Sequence, residues 1–275
     1  MGLGVFDLTG GPFLTLYGVL LVTAIVAGFA IPRWLRPDGR SARLTNPDQI
    51  AYLAGGSLRY VDTVLARLLA AGKIAVEGRT QARIVAPPVL AAGPERSVLA
   101  LPTPSPWPRV MKAVSGHAAT VHDKLVDAGL LFDRGTALQL RFWQTAPYLM
   151  LIAFGAIKWD IGTERGRPVG FLSALLVITA VFALIRFVTI DRRTRAGIDA
   201  LAAARDGADR LRRAPTDDEI PMAVALFGTT VLVGSAWNDY HAMRAASGSG
   251  DSGSGGSADG GGGGCGGGGC GGCGS

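Results

Sequence analysis

Residues 8–32 hold no charged side chain and read "LTGGPFLTLYGVLLVTAIVAGFAIP". A helix rises about 1.5 Å per residue, so this run can cross roughly 30 Å of hydrocarbon. A second uncharged run extends from Pro168 to Ile185 within "RPVGFLSALLVITAVFALIRF". A third, Phe142 to Ile157 in "FWQTAPYLMLIAFGAIKW", is shorter, and the stem of Lys158 can snorkel outward to extend it. The alternative for each run is a buried core helix. The lengths favour transmembrane helices over residues 8–32, 142–159 and 168–187, and hence a mainly α membrane protein.

A cleaved signal peptide is the competing reading of the first run, because "AGFA" places small residues near Ala30. The run lacks a positively charged leader and is longer than the usual apolar region of a signal. Basic residues follow it instead: Arg33, Arg36, Arg40 and Arg43. Arginines also follow the 168–187 span, from Arg186 to Arg213, whereas the loop "KWDIGTERGR" is nearly balanced. Cytoplasmic loops carry the arginine excess. The expected arrangement is a multi-pass protein of the cytoplasmic membrane, N-terminus outside, with residues 33–141 and those beyond 187 inside. Trp34, Trp143 and Trp159 stand at span ends, as an interfacial belt requires. The net charge of +6 therefore reflects topology and does not point to nucleic acid.

Residues 188–219 read as a cytoplasmic helix. Residues 220–237, "IPMAVALFGTTVLVGSAW", are uncharged and just long enough to form a fourth span. Their Gly, Thr, Ser and Pro content equally suits a helix lying against the membrane or the bundle.

Residues 44–141 read as a soluble α+β segment containing a repeat. "RLLAAGKI" (67–74) aligns without gaps to "KLVDAGLL" (124–131). In each copy a helical pattern ends at a glycine suited to the left-handed position after a helix, Gly72 and Gly129. Each is followed by a strand, a turn ("VEGRT", "FDRGT") and a second strand ("QARIV", "ALQLR"). Asn46 can cap an earlier helix with Pro47 in its first turn, and Gly55–Gly56 makes the turn into the next. The pattern resembles tandem winged-helix units separated by the proline-rich 86–108; a small α+β domain with a chance recurrence is the alternative. The candidate recognition helix offers Arg59 and Arg67 against Asp62, too little for phosphate neutralisation or base readout.

Catalytic patterns are sparse. His117 and His122 lie five apart and share no helix face, no "HExxH" occurs, and "YLAGGSLR" lacks the ending of a phosphate loop. The acids of "VDTVLAR" and "HDKLVDAG" read as solvated helix faces, and Asp217, Asp218 and Glu219 as a helix start. The expectation is that the chain is not an enzyme.

The three cysteines, Cys265, Cys270 and Cys273, all stand in a Gly/Ser-rich tail over residues 247–275, which reads as disordered. An odd number cannot close an intramolecular disulfide set, and a cytoplasmic location keeps thiols reduced. The spacing Cys-x4-Cys-x2-Cys equals the first three ligands of a plant-type two-iron cluster, but a fourth cysteine is absent. Looser capture of a soft metal is the other option, so the metals to consider are zinc, copper or iron. Modification is the third. A thiolate can attack the preceding carbonyl to close a five-membered ring, and Gly264, Gly269 and Gly272 leave that carbonyl unhindered. A low-complexity tail with incidental cysteines remains the plain alternative.

The stretches "YLAGGSLRYVDTVLARLLAAGKI", "GRPVGFL", "AVALFG" and the terminal "GGGGCGGGGCGGCGS" resemble uncharacterised bacterial integral membrane proteins that join one membrane domain to a Gly/Cys-rich tail. That resemblance implies a substrate of a cysteine-modifying maturation enzyme, such as the multinuclear non-haem iron oxidases acting on ribosomal peptides. It implies no catalytic residues. The expected function is a non-enzymatic, membrane-anchored protein whose tail cysteines are modified or bind a soft metal. The alternative is a membrane-bound regulator or scaffold using the winged-helix-like segment for protein or DNA contacts.

Overall fold

The protein is mainly helical, and its computed structural model describes residues 10–78, 80–88, 91, 93–164, 166 and 170–246. In chain order the elements are α1 (Gly10–Trp34), α2 (Pro47–Ala70), β1 (Ile74–Glu77), β2 (Gln81–Ile84), α3 (Gly93–Leu99) and β3 (Ser105–Pro106). They continue with α4 (Trp107–Ser115), α5 (Ala118–Asp127), α6 (Arg134–Glu164) and α7 (Gly170–Val188). The chain then forms α8 (Arg195–Asp206), α9 (Asp209–Arg213), α10 (Ile220–Phe227) and α11 (Asn238–Ala246).

Helices α1, α6 and α7 pack on one another as a bundle. Two of them, α1 and α7, are long and apolar enough to cross a membrane. The run expected to span at 142–159 lies within α6, whose 31 residues make a helix of about 46 Å. The bundle is apolar inside and out. Phe13, Tyr17, Tyr148 and Leu151 fill its centre, while Val22, Val26, Met150, Phe171, Val177 and Leu184 are exposed on its outer face. Close approach needs glycine: a Cβ on Gly155 would stand 2.8 Å from Tyr17 and from Leu176, and one on Gly28 would stand 2.8 Å from Tyr148. Tyr17 Oη pairs across helices with Thr179 Oγ1 at 3.1 Å, while the buried Tyr148 hydroxyl has no partner among the described residues. The Gln144 amide donates to the Arg186 carbonyl, tying α6 to α7.

The body packed beside the bundle is not residues 44–141 alone. Its core joins α2, β1, β2, α4 and α5 to α8, α10 and α11, drawn from both sides of the α6–α7 hairpin. Helix α10 makes its most extensive packing with α2; Ala223, Val224 and Ala225 are fully buried and Leu226 nearly so. This places residues 220–227 in that core, while Val233 is 61% exposed. The segment is an eight-residue helix broken at Gly228 (φ 86°) and followed by a short 3₁₀ turn, Thr229–Leu232. It is therefore not one continuous helix of spanning length. A helix enclosed by protein on all sides is as uncharged as one enclosed by lipid, so composition does not separate them. Residues 188–219 likewise form two helices, α8 and α9, after an extended strap, rather than one.

The order expected for the first unit, helix, helix and two-stranded hairpin, is present. Asn46 Oδ1 accepts from the Asp48 amide, Gly55 and Gly56 break α2 into two helical halves, and Gly72 takes φ 65°. Strands β1 and β2 pair antiparallel with Ile74 opposite Ile84 and Glu77 opposite Gln81. The proline-rich 86–108 is more than a linker. It contains α3, and β3 adds a third strand by pairing Ser105 with Ala82.

The second unit does not form. Helix α5 and Gly129 (φ 74°) match the first copy, but "ALQLR" lies in α6 rather than in a strand. Asp133 is the cause. Its carboxylate accepts from the amides of Gly135 (3.0 Å) and Thr136 (3.3 Å), starting a helix where a wing turn was expected. Ala137, Leu140, Gln144 and Tyr148 then repeat at helical spacing and are buried, while Leu138 is 59% exposed. The expected second hairpin is therefore corrected to a helix start.

Candidate functional site

The sequence places its chemistry on Cys265, Cys270 and Cys273, which lie outside the described residues. What the fold determines is where the tail leaves and what holds that exit. Helix α11 is the last described element, and it is fixed by a buried ionic cluster. Arg244, 1% exposed, donates from Nε to Asp62 Oδ1 at 2.7 Å and from its terminal nitrogen to Oδ2 at 3.1 Å. Tyr240, fully buried, donates its hydroxyl to the same Oδ1 at 2.7 Å. Trp107 packs on Tyr240 with ring centroids 5.5 Å apart, and Met111 Sδ lies 3.5 Å from Arg244. Burial beside the Asp62 carboxylate pushes the Tyr240 phenol well above its ordinary value. Burial opposes the charge of Arg244, but the bonds to Asp62 outweigh it and raise the guanidinium further. The sequence reading of Asp62 as a solvated acid is thus corrected. Its partner stands 182 positions away, so local pattern carried no sign of the pair.

A second cluster joins the bundle to the body. Asp191, in the strap between α7 and α8, meets Arg36 at 3.2 Å and Arg193 at 3.0 Å. Burial pushes its carboxyl up, but Arg193, the backbone amide there and Arg36 together hold it below the usual range. The strap is stitched to the loop after α5. Leu131 bridges Arg193, the Phe132 amide donates to the Arg192 carbonyl at 3.1 Å, and Thr194 Oγ1 donates to Gly129 O at 2.9 Å. The body therefore receives α1, α6 and α7 at one end of the bundle.

The helix considered for DNA recognition, the second half of α2, is enclosed. Residues Arg59 to Ala66, Leu68 and Leu69 are buried on every side, and Arg59 reaches the Val224 carbonyl at 3.4 Å. Arg67 pairs with Asp48 at 2.7 Å and Glu95 at 3.1 Å. That helix presents no face to a groove. The DNA arm of the regulator reading thus loses the element it rested on.

The histidines are separate. His117 bonds Ser97 Oγ at 2.8 Å and His241 bonds Thr229 Oγ1 at 3.1 Å. His122 lies 5.7 Å from the Tyr52 ring, and burial with Arg192 nearby lowers its pKa. Among the described residues no three His, Cys, Asp or Glu side chains converge to hold a metal. Asp217–Glu219 form a helix start as expected: Thr216 and Glu219 make a capping box, and Arg210 pairs with the Glu219 carboxylate, whose pKa falls to about 2. No family model matches the chain, and no curated protein or solved structure matches it.

Proposed function

We propose that the chain is a non-enzymatic membrane anchor that holds a Gly/Cys tail on the cytoplasmic side, where the three thiols are modified or bind a soft metal. The observation that carries this reading is the convergence of the helix ends. Helices α1 and α7 both deliver their C-termini to the Arg36–Asp191 joint, so they run in the same direction. The chain must return between them, and α6 is the helix packed against both. Its length of about 46 Å equals a bilayer with headgroups, and its ends carry Arg134 and Glu164. This arrangement supports three crossings, with the body on the side where the arginines are. Helix α11 is pinned into that body by Asp62, so the tail starts on the same side.

Location then decides chemistry. Thiols in a reducing compartment stay available to an enzyme or a soft metal rather than pairing as disulfides. Glycine on both sides of each cysteine leaves the thiol and the flanking amides sterically open to a modifying enzyme. The resemblance to the Gly/Cys-tailed family points the same way.

The test is intact-mass analysis of the tail peptide released from native cells, with metal content measured on the undigested protein. A mass shift on peptides holding Cys265, Cys270 or Cys273, or stoichiometric zinc, copper or iron removed by changing them to serine, is the expected result. An unmodified and metal-free tail in the native host would overturn the proposal.

A further inference from the structure

We infer that the cytoplasmic end of the bundle is a binding surface for acidic phospholipid headgroups, centred on Arg33, Arg141 and Arg186. This rests on the three-span reading above. Each of these arginines adjoins one end of an uncharged run: Arg33 follows Pro32, Arg141 precedes Phe142, and Arg186 follows Ile185. All three therefore sit where hydrocarbon meets headgroup, on the same side.

Three carboxylates at that end are engaged, while Asp123 shares the surroundings of His122 with Arg134 and Arg192. Asp191 is held by Arg36 and Arg193, Asp38 pairs with Arg195 at 3.0 Å, and Asp133 caps α6. Arg33, Arg40, Arg134, Arg141, Arg186 and Arg192 make no ion pair among the described residues. This end thus carries a surplus of positive charge that the protein does not neutralise.

Two of the guanidiniums are also held in place. Arg186 stacks 4.4 Å from the Phe29 ring centroid and donates to the Gly28 carbonyl, and Arg33 places a second positive charge beside it. Arg141 stacks 5.7 Å from the Phe187 ring centroid. The Nε of both Arg141 and Arg186 is buried, and one terminal nitrogen of Arg186 is bonded to Gly28, so the remaining terminal nitrogens are the ones that meet an acceptor. A guanidinium fixed through its face holds those nitrogens in place, and phosphate oxygens suit them. Basic pockets between transmembrane helices on the cytoplasmic side are places where anionic headgroups dock. The neighbouring charges of Arg33 and Arg186 repel each other until an anion lies between them.

The test uses the full chain in nanodiscs of phosphatidylcholine alone, of phosphatidylcholine with phosphatidylglycerol, and of phosphatidylcholine with inorganic phosphate added. Retained lipid is read by native mass spectrometry, and Tm is followed in parallel. The expected result is enrichment of phosphatidylglycerol on the protein and a higher Tm in its presence, with no gain from inorganic phosphate. Each interfacial arginine contributes about a fivefold preference, so Arg33→Gln with Arg141→Gln lowers the enrichment by roughly 25-fold. Lysine at both positions keeps more of it than glutamine does. Equal retention of the two lipids, unchanged enrichment in the double glutamine variant, or the same Tm gain from inorganic phosphate would each overturn the inference. A chain that enters none of the nanodiscs overturns the spanning reading and this inference with it. Entry without lipid preference overturns this inference alone.

Discussion

Replacing Asp62 by Asn removes one charge and little volume from the cluster that seats α11. Arg244 would then keep its charge at 1% exposure without the Asp62 carboxylate. Breaking a buried pair from one side costs about 3–5 kcal/mol. The alternative is to release α11 so that Arg244 reaches water, which also exposes Tyr240. A tyrosine buries about 150–250 Å², worth at most about 4–6 kcal/mol at ~25 cal/mol per Å². The two routes cost about the same, so Asp62→Asn destabilises by a similar amount whichever is taken. For a chain of this size that is a Tm drop of roughly 10 °C. Hydrogen exchange at residues 238–246 separates them: rapid exchange there means release, retained protection means a strained but seated helix. The paired change Asp62→Leu with Arg244→Met recovers part of the stability, because apolar groups replace the buried pair at little cost while the Tyr240 hydroxyl loses its acceptor. A loss below about 1 kcal/mol for Asp62→Asn, with protection unchanged, would refute the assignment of this pair as the anchor of α11.

Three further outcomes are expected. Gly197→Ala destabilises the joint by about 1–3 kcal/mol in denaturant titration, because the new Cβ would lie 2.3 Å from the Leu130 carbonyl oxygen, a backbone atom that cannot rotate away. Gly155→Val lowers the yield of folded protein in detergent, since Tyr17 and Leu176 already stand 2.8 Å from where its Cβ would be; a normal size-exclusion profile would contradict that packing. His122 has a folded pKa lowered by burial and by Arg192, so the unfolded chain binds its proton first. Stability is full above the ordinary histidine value and falls as pH drops through it, and His122→Gln flattens the slope of Tm between about pH 7 and 5.

What the sequence made legible is what depends on neighbours in the chain. The uncharged runs locate α1 and α7 to within two residues, and Asn46, Gly72 and Gly129 mark helix ends because caps are local chemistry. The strand pair after Gly72 was readable for the same reason. Failures came where distant packing decides. "AVALF" has the composition of a span because α2 and its neighbours, rather than lipid, enclose it. Asp62 looked solvated because Arg244 and Tyr240 reach it only after the chain has passed twice more through the bundle. "ALQLR" alternates like a strand, yet the Asp133 cap, visible four residues before an apolar helical stripe, was the signal that could have corrected it.

The central claim is that three crossings leave the tail on the side of the soluble body. Its most direct measurement is labelling with a membrane-impermeant maleimide, because Cys265, Cys270 and Cys273 are the only thiols in the chain. A cysteine put at Glu164, in a chain whose tail cysteines are serine, reports the opposite side. The expected result in intact cells is no labelling of the tail and clear labelling at position 164, with the tail becoming reactive once the membrane is permeabilised. A tail labelled in intact cells would contradict the claim.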